Sequence, residues 1–170
     1  MATEGHDLSA FDAERFQGCE SFRIGLAVSS WNPEITHALR DGALHVLQTV
    51  GVRDVTVHEV PGSFELPLGC QWLLRHQGCD AVIAIGSVIR GETAHFDYVC
   101  QAASSGVLRA GMDADRPAVF CVLTDDHIDQ SRARSGGEHG NKGIEAAVAA
   151  LDMLQLRRDL QQGGQWGIGL

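Results

Sequence analysis

No stretch of the sequence approaches the roughly 18 consecutive apolar residues that a membrane-spanning helix needs. The opening residues, MATEGHDLSAFDAERF, lack both the basic start and the apolar stretch of a secretion signal. Export and membrane insertion are therefore not expected, and the chain reads as cytoplasmic. Basic residues are scarce as well: 13 Lys and Arg stand against 22 Asp and Glu, for a formal net charge of −9. Such a balance repels nucleic acid and anionic lipid at long range, so a bound phosphate would need a local site. The five cysteines, Cys19, Cys70, Cys79, Cys100 and Cys121, are odd in number and include no C-x-x-C pair. They sit mostly in apolar runs and read as buried thiols of a reducing compartment rather than as a disulfide framework.

Common catalytic and nucleotide signatures are missing too. The stretch GGEHGNKG fails as a phosphate-binding P-loop, because Asn141 separates glycine from Lys142 and Gly143 stands where Ser or Thr is required. No G-x-G-x-x-G follows a strand, and no G-x-S-x-G nucleophile elbow occurs. Asp125, Asp126 and His127 are too local to supply several metal ligands at sensible geometry, so a metal site is not expected.

What the 170 residues do contain is a regular alternation suited to one domain. FRIGLAVS reads as a strand, and Pro33 opens a helix whose Ile35, Ala38, Leu39, Gly42, Ala43, Val46, Leu47 and Val50 make one apolar stripe. VRDVTVHEV alternates as a second strand and is followed by a helix to about residue 77. DAVIAIGSVI is β-rich and continuously apolar, as a strand covered on both faces requires, with a helix from about Ala94 to Ala110 behind it. PAVFCVLT is a fourth strand, HIDQSRAR a short helix, GGEHGNKG a glycine-rich connection and IEAAVAALDMLQLRRDL a last helix. The expected fold is α/β: a three-layer α/β/α sandwich on a four-stranded parallel sheet. Residues 1–20 are expected to be a mobile N-terminal segment, residues 21–160 the domain and 161–170 a C-terminal tail.

Ligands of such sheets gather beyond the carboxyl ends of the strands, which directs attention to SSWNP, VPGSFELP, IRGETAH and LTDDH. Past Ile89, Gly91 lets the chain turn. The amides of Glu92, Thr93 and Ala94 then open a helix, where free N–H groups and the positive dipole end suit a phosphate or carboxylate. Thr93 reads equally as a plain helix cap. His95 is either a surface residue or an imidazole placed to pass protons beside that anion. Ser63 is a plausible cap, with Phe64 as a wall and Glu65 as a hydrogen-bond partner for a polar substrate, although turn chemistry alone accounts for the segment. Trp31 belongs to the core or stacks on a heterocycle. Arg134 and Lys142, among glycines, are either solvated surface cations or partners for anionic oxygens.

Taken in order, SSWN, VPGSFELP, GSVIRGETAHFDYV, PAVFCVLT and RARSGGEHGNKGIEAA resemble the signatures of the lumazine synthases of riboflavin biosynthesis, over roughly residues 22–156. The resemblance implies a flavodoxin-like sandwich and a transferase that condenses 5-amino-6-(D-ribitylamino)uracil with 3,4-dihydroxy-2-butanone 4-phosphate, without cofactor. It implies that Trp31 stacks on the pyrimidine, that Asn32 binds substrate and that Ser63, Phe64 and Glu65 line the ribityl chain. Ser87, Val88 and Ile89 would bind the uracil edge through backbone groups. Gly91, Glu92 and Thr93 would hold phosphate, and His95 would shuttle protons. Phe120, Arg134 and Lys142 would come from a neighbouring subunit, with Arg134 pairing with phosphate. The implied partners are small-molecule substrates and further copies of the chain, as a pentamer or a shell of sixty subunits, with riboflavin synthase a candidate and no nucleic acid or membrane. Lack of an insertion in SGGEHGNKG leans toward the shell. The N-terminal segment is available to add to a neighbouring subunit, and Ala146, Ala147, Ala149 and Ala150 are expected to let neighbours approach. Cys121 and Ala94 depart from the family's usual residues. A flavin-storage module on the same scaffold is the rival reading; a phosphorelay receiver is rejected, since SSWN and SVIR stand where its aspartates belong.

Overall fold

Strand β1 (Arg23–Ser29) and strand β3 (Ala81–Ile89) are buried along almost their whole length, so both need helices on each face and a strand on each side. The computed structural model, which describes residues 10–163, supplies them. Strands β2 (Asp54–Val60) and β4 (Ala118–Asp125) form the edges of a fully parallel sheet in the order β2-β1-β3-β4. The polar outer residues of β2, among them Asp54, His58 and Glu59, suit an edge.

Helices α1 (Pro33–Thr49) and α5 (Lys142–Gln161) cover one face. Leu39, Val46, Leu47, Ala147 and Leu151 pack there on Ile24, Leu26, Val28, Ile83 and Ile85. Helices α2 (Leu66–His76) and α3 (His95–Ala114) cover the other, with Leu66, Cys70, Leu73 and Val107 on Ala27, Val82, Ala84 and Val122. Each large side chain so buried contributes about 1.5–3 kcal/mol. No helix among the described residues is long and apolar enough to cross a membrane.

Two glycines set how closely α1 and α5 approach. A Cβ on Gly143 would run into the Leu39 carbonyl oxygen, and one on Gly42 would strike the Asn141 side chain. Asn141 is the N-cap of α5: its Oδ1 accepts from the Gly143 amide at 2.8 Å while its Nδ2 donates to the Ala38 carbonyl at 2.9 Å. The residue that spoils the P-loop pattern thus ties two helices together.

The structure departs from the expected layout in four places. The glycine-rich connection after the short helix α4 (Ile128–Arg134) is a small antiparallel hairpin, β5 (Ser135–Gly137) with β6 (Gly140–Asn141). Gly136 and Gly140 take the positive φ that the turn demands. Helix α3 runs four residues past Ala110, because Gly111 allows β4 to enter beside it. A Cβ at Gly111 would lie 3.0 Å from both Ala118 Cβ and the Arg116 carbonyl. Residues 11–20 belong to the packed body: Phe16 and Cys19 are buried, Arg15 pairs with Asp152 at 3.0 Å, and Arg158 donates to the Gly18 carbonyl at 2.9 Å. Finally, Ala146, Ala147 and Ala150 are consumed inside the protomer, leaving only Ala149 of that stripe half-buried. Expectations for residues 1–9 and 164–170 fall outside the described residues.

Candidate functional site

The loops after β1 and β2 are stitched together before any ligand arrives. The Ser30 amide and hydroxyl both donate to the Val60 carbonyl, at 2.9 and 3.1 Å, and the Trp31 amide donates to Ser29 Oγ at 3.3 Å. Gly62 leaves a notch in which a Cβ would sit 3.1 Å from Glu65 Oε2 and 3.4 Å from Trp31 Cδ1. The indole and the carboxylate are therefore neighbours across two loops. Trp31 is 70% exposed and Phe64 61%, so neither belongs to the core. Two large aromatic faces at a strand terminus are suited to covering a flat or apolar ligand.

Strand β3 outruns β1. Their pairing ends at Val28 with Ile85, whereas β3 continues beside β4 to Ile89 with Asp125. The edge of Gly86–Ile89 that faces away from β4 consequently carries main-chain groups with no strand to meet them. Asn32 fills one position: held in the left-handed region (φ 53), its Nδ2 donates to the Ser87 carbonyl at 3.0 Å. Asn32, expected to contact substrate, spends its amide inside the protein and braces the overhang.

Ser63 also behaves differently from expectation. It caps nothing, because α2 starts at Leu66 with Glu65 before it. Its hydroxyl is buried against the sheet, where a Cβ on Gly86 would come within 2.7 Å of it. Ser63 Oγ and Ser87 Oγ are both buried and lack a hydrogen-bond partner among the described residues. Ser63 thus seats the loop rather than pointing its side chain outward with Phe64 and Glu65.

The β3–α3 connection is open to solvent from Gly91 to His95. The N–H groups of Gly91, Glu92, Thr93 and Ala94 have no acceptor among the described residues, and the His95 amide has only Thr93 Oγ1, at a long 3.4 Å. Four such amides just ahead of a 20-residue helix are of the kind that suits an anion. Gly91, expected from the sequence to let the chain turn, is not needed for that: its φ is ordinary and a Cβ there would meet nothing within 4 Å.

The sequence reading overlooked Arg90. Its Nε donates to Asp126 Oδ1 at 2.7 Å, its Nη1 to Asp97 Oδ1 at 3.2 Å, and its guanidinium lies 4.0 Å from the Phe96 ring centroid. The hydrogen bond to Asp126, foremost, raises the guanidinium pKa further above its ordinary value. The cation beside the free amides is therefore already matched by two carboxylates.

The remaining candidates lie elsewhere. Phe120 and Lys142 line a cleft of about 150 Å³ at the β4 edge, with Glu145 holding Lys142 Nζ at 2.7 and 2.9 Å. Glu145 is a second residue the sequence reading missed; its i, i+3 spacing from Lys142 was the available signal. Arg134 ends α4 with Nη1 on the Gln130 carbonyl at 3.1 Å. Arg132 fixes that helix by a two-pronged contact to Glu34 at 2.9 and 3.1 Å and a third to Asp129 at 2.9 Å. Its hydrogen bond holds the Glu34 carboxyl below its usual range. No hydrogen bond or ion pair among the described residues joins Arg134 or Lys142 to the β3–α3 segment. The candidate residues of one chain thus fall into two separate groups.

The 6,7-dimethyl-8-ribityllumazine synthase family profile matches residues 21–158. The chain belongs to that family. A 6,7-dimethyl-8-ribityllumazine synthase of Christiangramia forsetii is 49% identical over 162 residues, covering 94% of this chain and 96% of the relative. Those of Flavobacterium johnsoniae and Porphyromonas gingivalis are each 46% identical over 160 residues, covering 93% of this chain and 84% and 99% of theirs. Membership in the lumazine synthases makes the chain an enzyme, a transferase, of riboflavin biosynthesis. The matched span contains every candidate residue named above.

Proposed function

We propose that this enzyme condenses 5-amino-6-(D-ribitylamino)uracil with 3,4-dihydroxy-2-butanone 4-phosphate to give 6,7-dimethyl-8-ribityllumazine. The amine attacks the ketone and one water leaves as the imine forms; phosphate is eliminated, and ring closure expels a second water. The observation that carries the reading is the run of four unpartnered amides from Gly91 to Ala94 with His95 beside them. They share a sheet edge with Trp31, Phe64, Glu65 and the overhanging main chain of β3. In this reading the amides hold phosphate and His95 moves protons between nitrogen, oxygen and solvent. Trp31 and Phe64 cover the pyrimidine, Glu65 accepts from ribityl hydroxyls, and Ser87, Val88 and Ile89 present backbone groups to the uracil edge. Both reactants are intrinsically reactive, so positioning supplies most of the acceleration, with effective molarities of about 10⁵ M or more available.

Charge explains why a second copy is required. A dianion at these amides needs a cation, and the nearby Arg90 is already paired. Arg134 of a neighbouring copy, whose guanidinium meets only the Gln130 carbonyl among the described residues, meets the need by stabilising phosphate as it leaves, with Lys142 and Phe120 of that copy closing the far wall. A ring of copies, pentameric or extended to a shell, places one half-site against the next. A cytoplasmic home and delivery of product to riboflavin synthase belong to the same reading.

The test is to mix both substrates with the enzyme and follow lumazine fluorescence together with phosphate release. Trp31→Ala and Arg134→Ala variants, each crippled alone, are then unfolded and reassembled one to one. Sharing of the site across a head-to-tail contact predicts recovery of about a quarter of wild-type activity from random mixing. Absence of turnover in the wild type refutes the reaction, and turnover without recovery in the mixture refutes the shared site. Binding of flavins without turnover would leave the storage reading in its place.

A further inference from the structure

We propose that Arg90 is a positioning residue that holds the anion-binding loop in shape without touching substrate, an inference that rests on the function proposed above. The loop leaves β3 after Ile89 and enters α3 at His95, and its own residues have few anchors: Gly91 to His95 are exposed, the amides of Gly91 to Ala94 have no acceptor among the described residues, and that of His95 has only Thr93 Oγ1. Its two ends are joined by one side chain. Arg90 stands immediately before the loop, with its own amide on the Asp125 carbonyl at 2.9 Å. Its guanidinium reaches over the loop to Asp97 in the first turn of α3, lies against the Phe96 ring and binds Asp126 beyond β4. The exit of β3, the head of α3 and the start of the β4–α4 connection are thus fastened at one cation.

Two features separate this role from a ligand's. Nε and Nη1 each donate to a carboxylate and one face is covered by Phe96, so the charge that would draw an incoming anion is already matched by Asp126 and Asp97. The ion pairs are also solvent-exposed, a setting in which such pairs add little to global stability. Their effect falls on local order: four amides converge on one anion only while the distance between the loop ends is held. Lysine cannot substitute fully, because a point charge does not bind two carboxylates in a fork and stack on a ring at once.

The experiment compares wild type with Arg90→Met, Arg90→Lys and Asp126→Asn. Inorganic phosphate binding is measured by calorimetry in the absence of substrate, alongside kcat and KM for each substrate and thermal unfolding. Misplacement of the loop by about 1 Å predicts a fall of roughly 10²-fold in kcat/KM for the four-carbon phosphate in Arg90→Met. Phosphate affinity should weaken in parallel, KM for the pyrimidine should hold, and the unfolding temperature should move little. Arg90→Lys should fall between, and Arg90→Met in an Asp126→Asn background should add less than the two single losses together. Unchanged phosphate affinity, or an equal loss of pyrimidine and phosphate binding, overturns the proposal. So does a lysine variant as impaired as the methionine one. A variant that fails to fold also overturns it, since the pairs would then be structural. The phosphate arm needs no turnover, so it tests Arg90 even if the wild type proves inactive and the proposed reaction falls.

Discussion

Replacing Gly143 by alanine adds one methyl group where α1 and α5 come closest. The new Cβ would overlap the Leu39 carbonyl oxygen and lie 2.9 Å from Asn141 Oδ1. Leu39 is fully buried and its carbonyl belongs to the backbone of a 17-residue helix, so the oxygen cannot swing aside. Either α1 shifts or the first turn of α5 lifts. Overpacking of this kind costs about 1–3 kcal/mol. Displacing the Asn141 cap, which also holds Ala38, costs about 1 kcal/mol more. Alanine's better helix propensity returns at most about 1 kcal/mol. The net loss is then about 1–4 kcal/mol, or roughly 2–16 °C in unfolding temperature for a domain of this size. Calorimetry at one fixed protein concentration reads it, because the proposed assembly would make the midpoint concentration-dependent. Lys142 rides on the turn that moves, so activity should fall with stability. An alanine variant unfolding within about 1 °C of wild type, or higher, would show that the helices do not meet as described.

Gly91→Ala is the opposite case. With open space around the added methyl group, the unfolding temperature should stay put while KM for the phosphate substrate rises, because the methyl group narrows the approach to the amides. Unaltered kinetics would remove Gly91 from the anion site. The Cys70 and Cys121 thiols are pushed by burial up to about 12 from an ordinary 9.0. The folded chain therefore keeps these protons where the unfolded chain loses them, so their contribution is complete below pH 9.0 and lost as pH rises toward about 12. Urea titrations of a double Cys→Ala variant should show a shallower decline of stability across that window than wild type; equal slopes would refute the assignment.

Elements with a strong period were legible in the sequence. The stripe on α1, the apolar run of β3 and the helix signal at Pro33 each report a local face, and a face buried on both sides leaves little choice but a sandwich. Non-local facts were not legible. Asn141 looks like an interruption until α1 is placed beside it, and Ala146, Ala147 and Ala150 look like an outward stripe until the sheet covers them. The hairpin of residues 135–141 is encoded in glycines whose sign of φ no composition reveals. The candidate segments that follow β1, β2 and β3 meet at one sheet edge, as the sequence order implied, because the carboxyl ends of strands in a parallel sheet lie together. Which side chains face outward depends on partners distant in the chain. Ser63 turns inward toward Gly86, Asn32 reaches for Ser87, and Arg90 is engaged by carboxylates on two other segments.

The four residues by which β3 outlasts its neighbour have a consequence for how selectivity could change. In the proposed reading, recognition there is written in peptide groups and has no alphabet for point mutation: exchanging Val88 or Ile89 alters bulk yet leaves every donor and acceptor where it was. A descendant seeking a different heterocycle would have to lengthen β1 or release the Asn32 brace, redrawing the ledge itself rather than redecorating it.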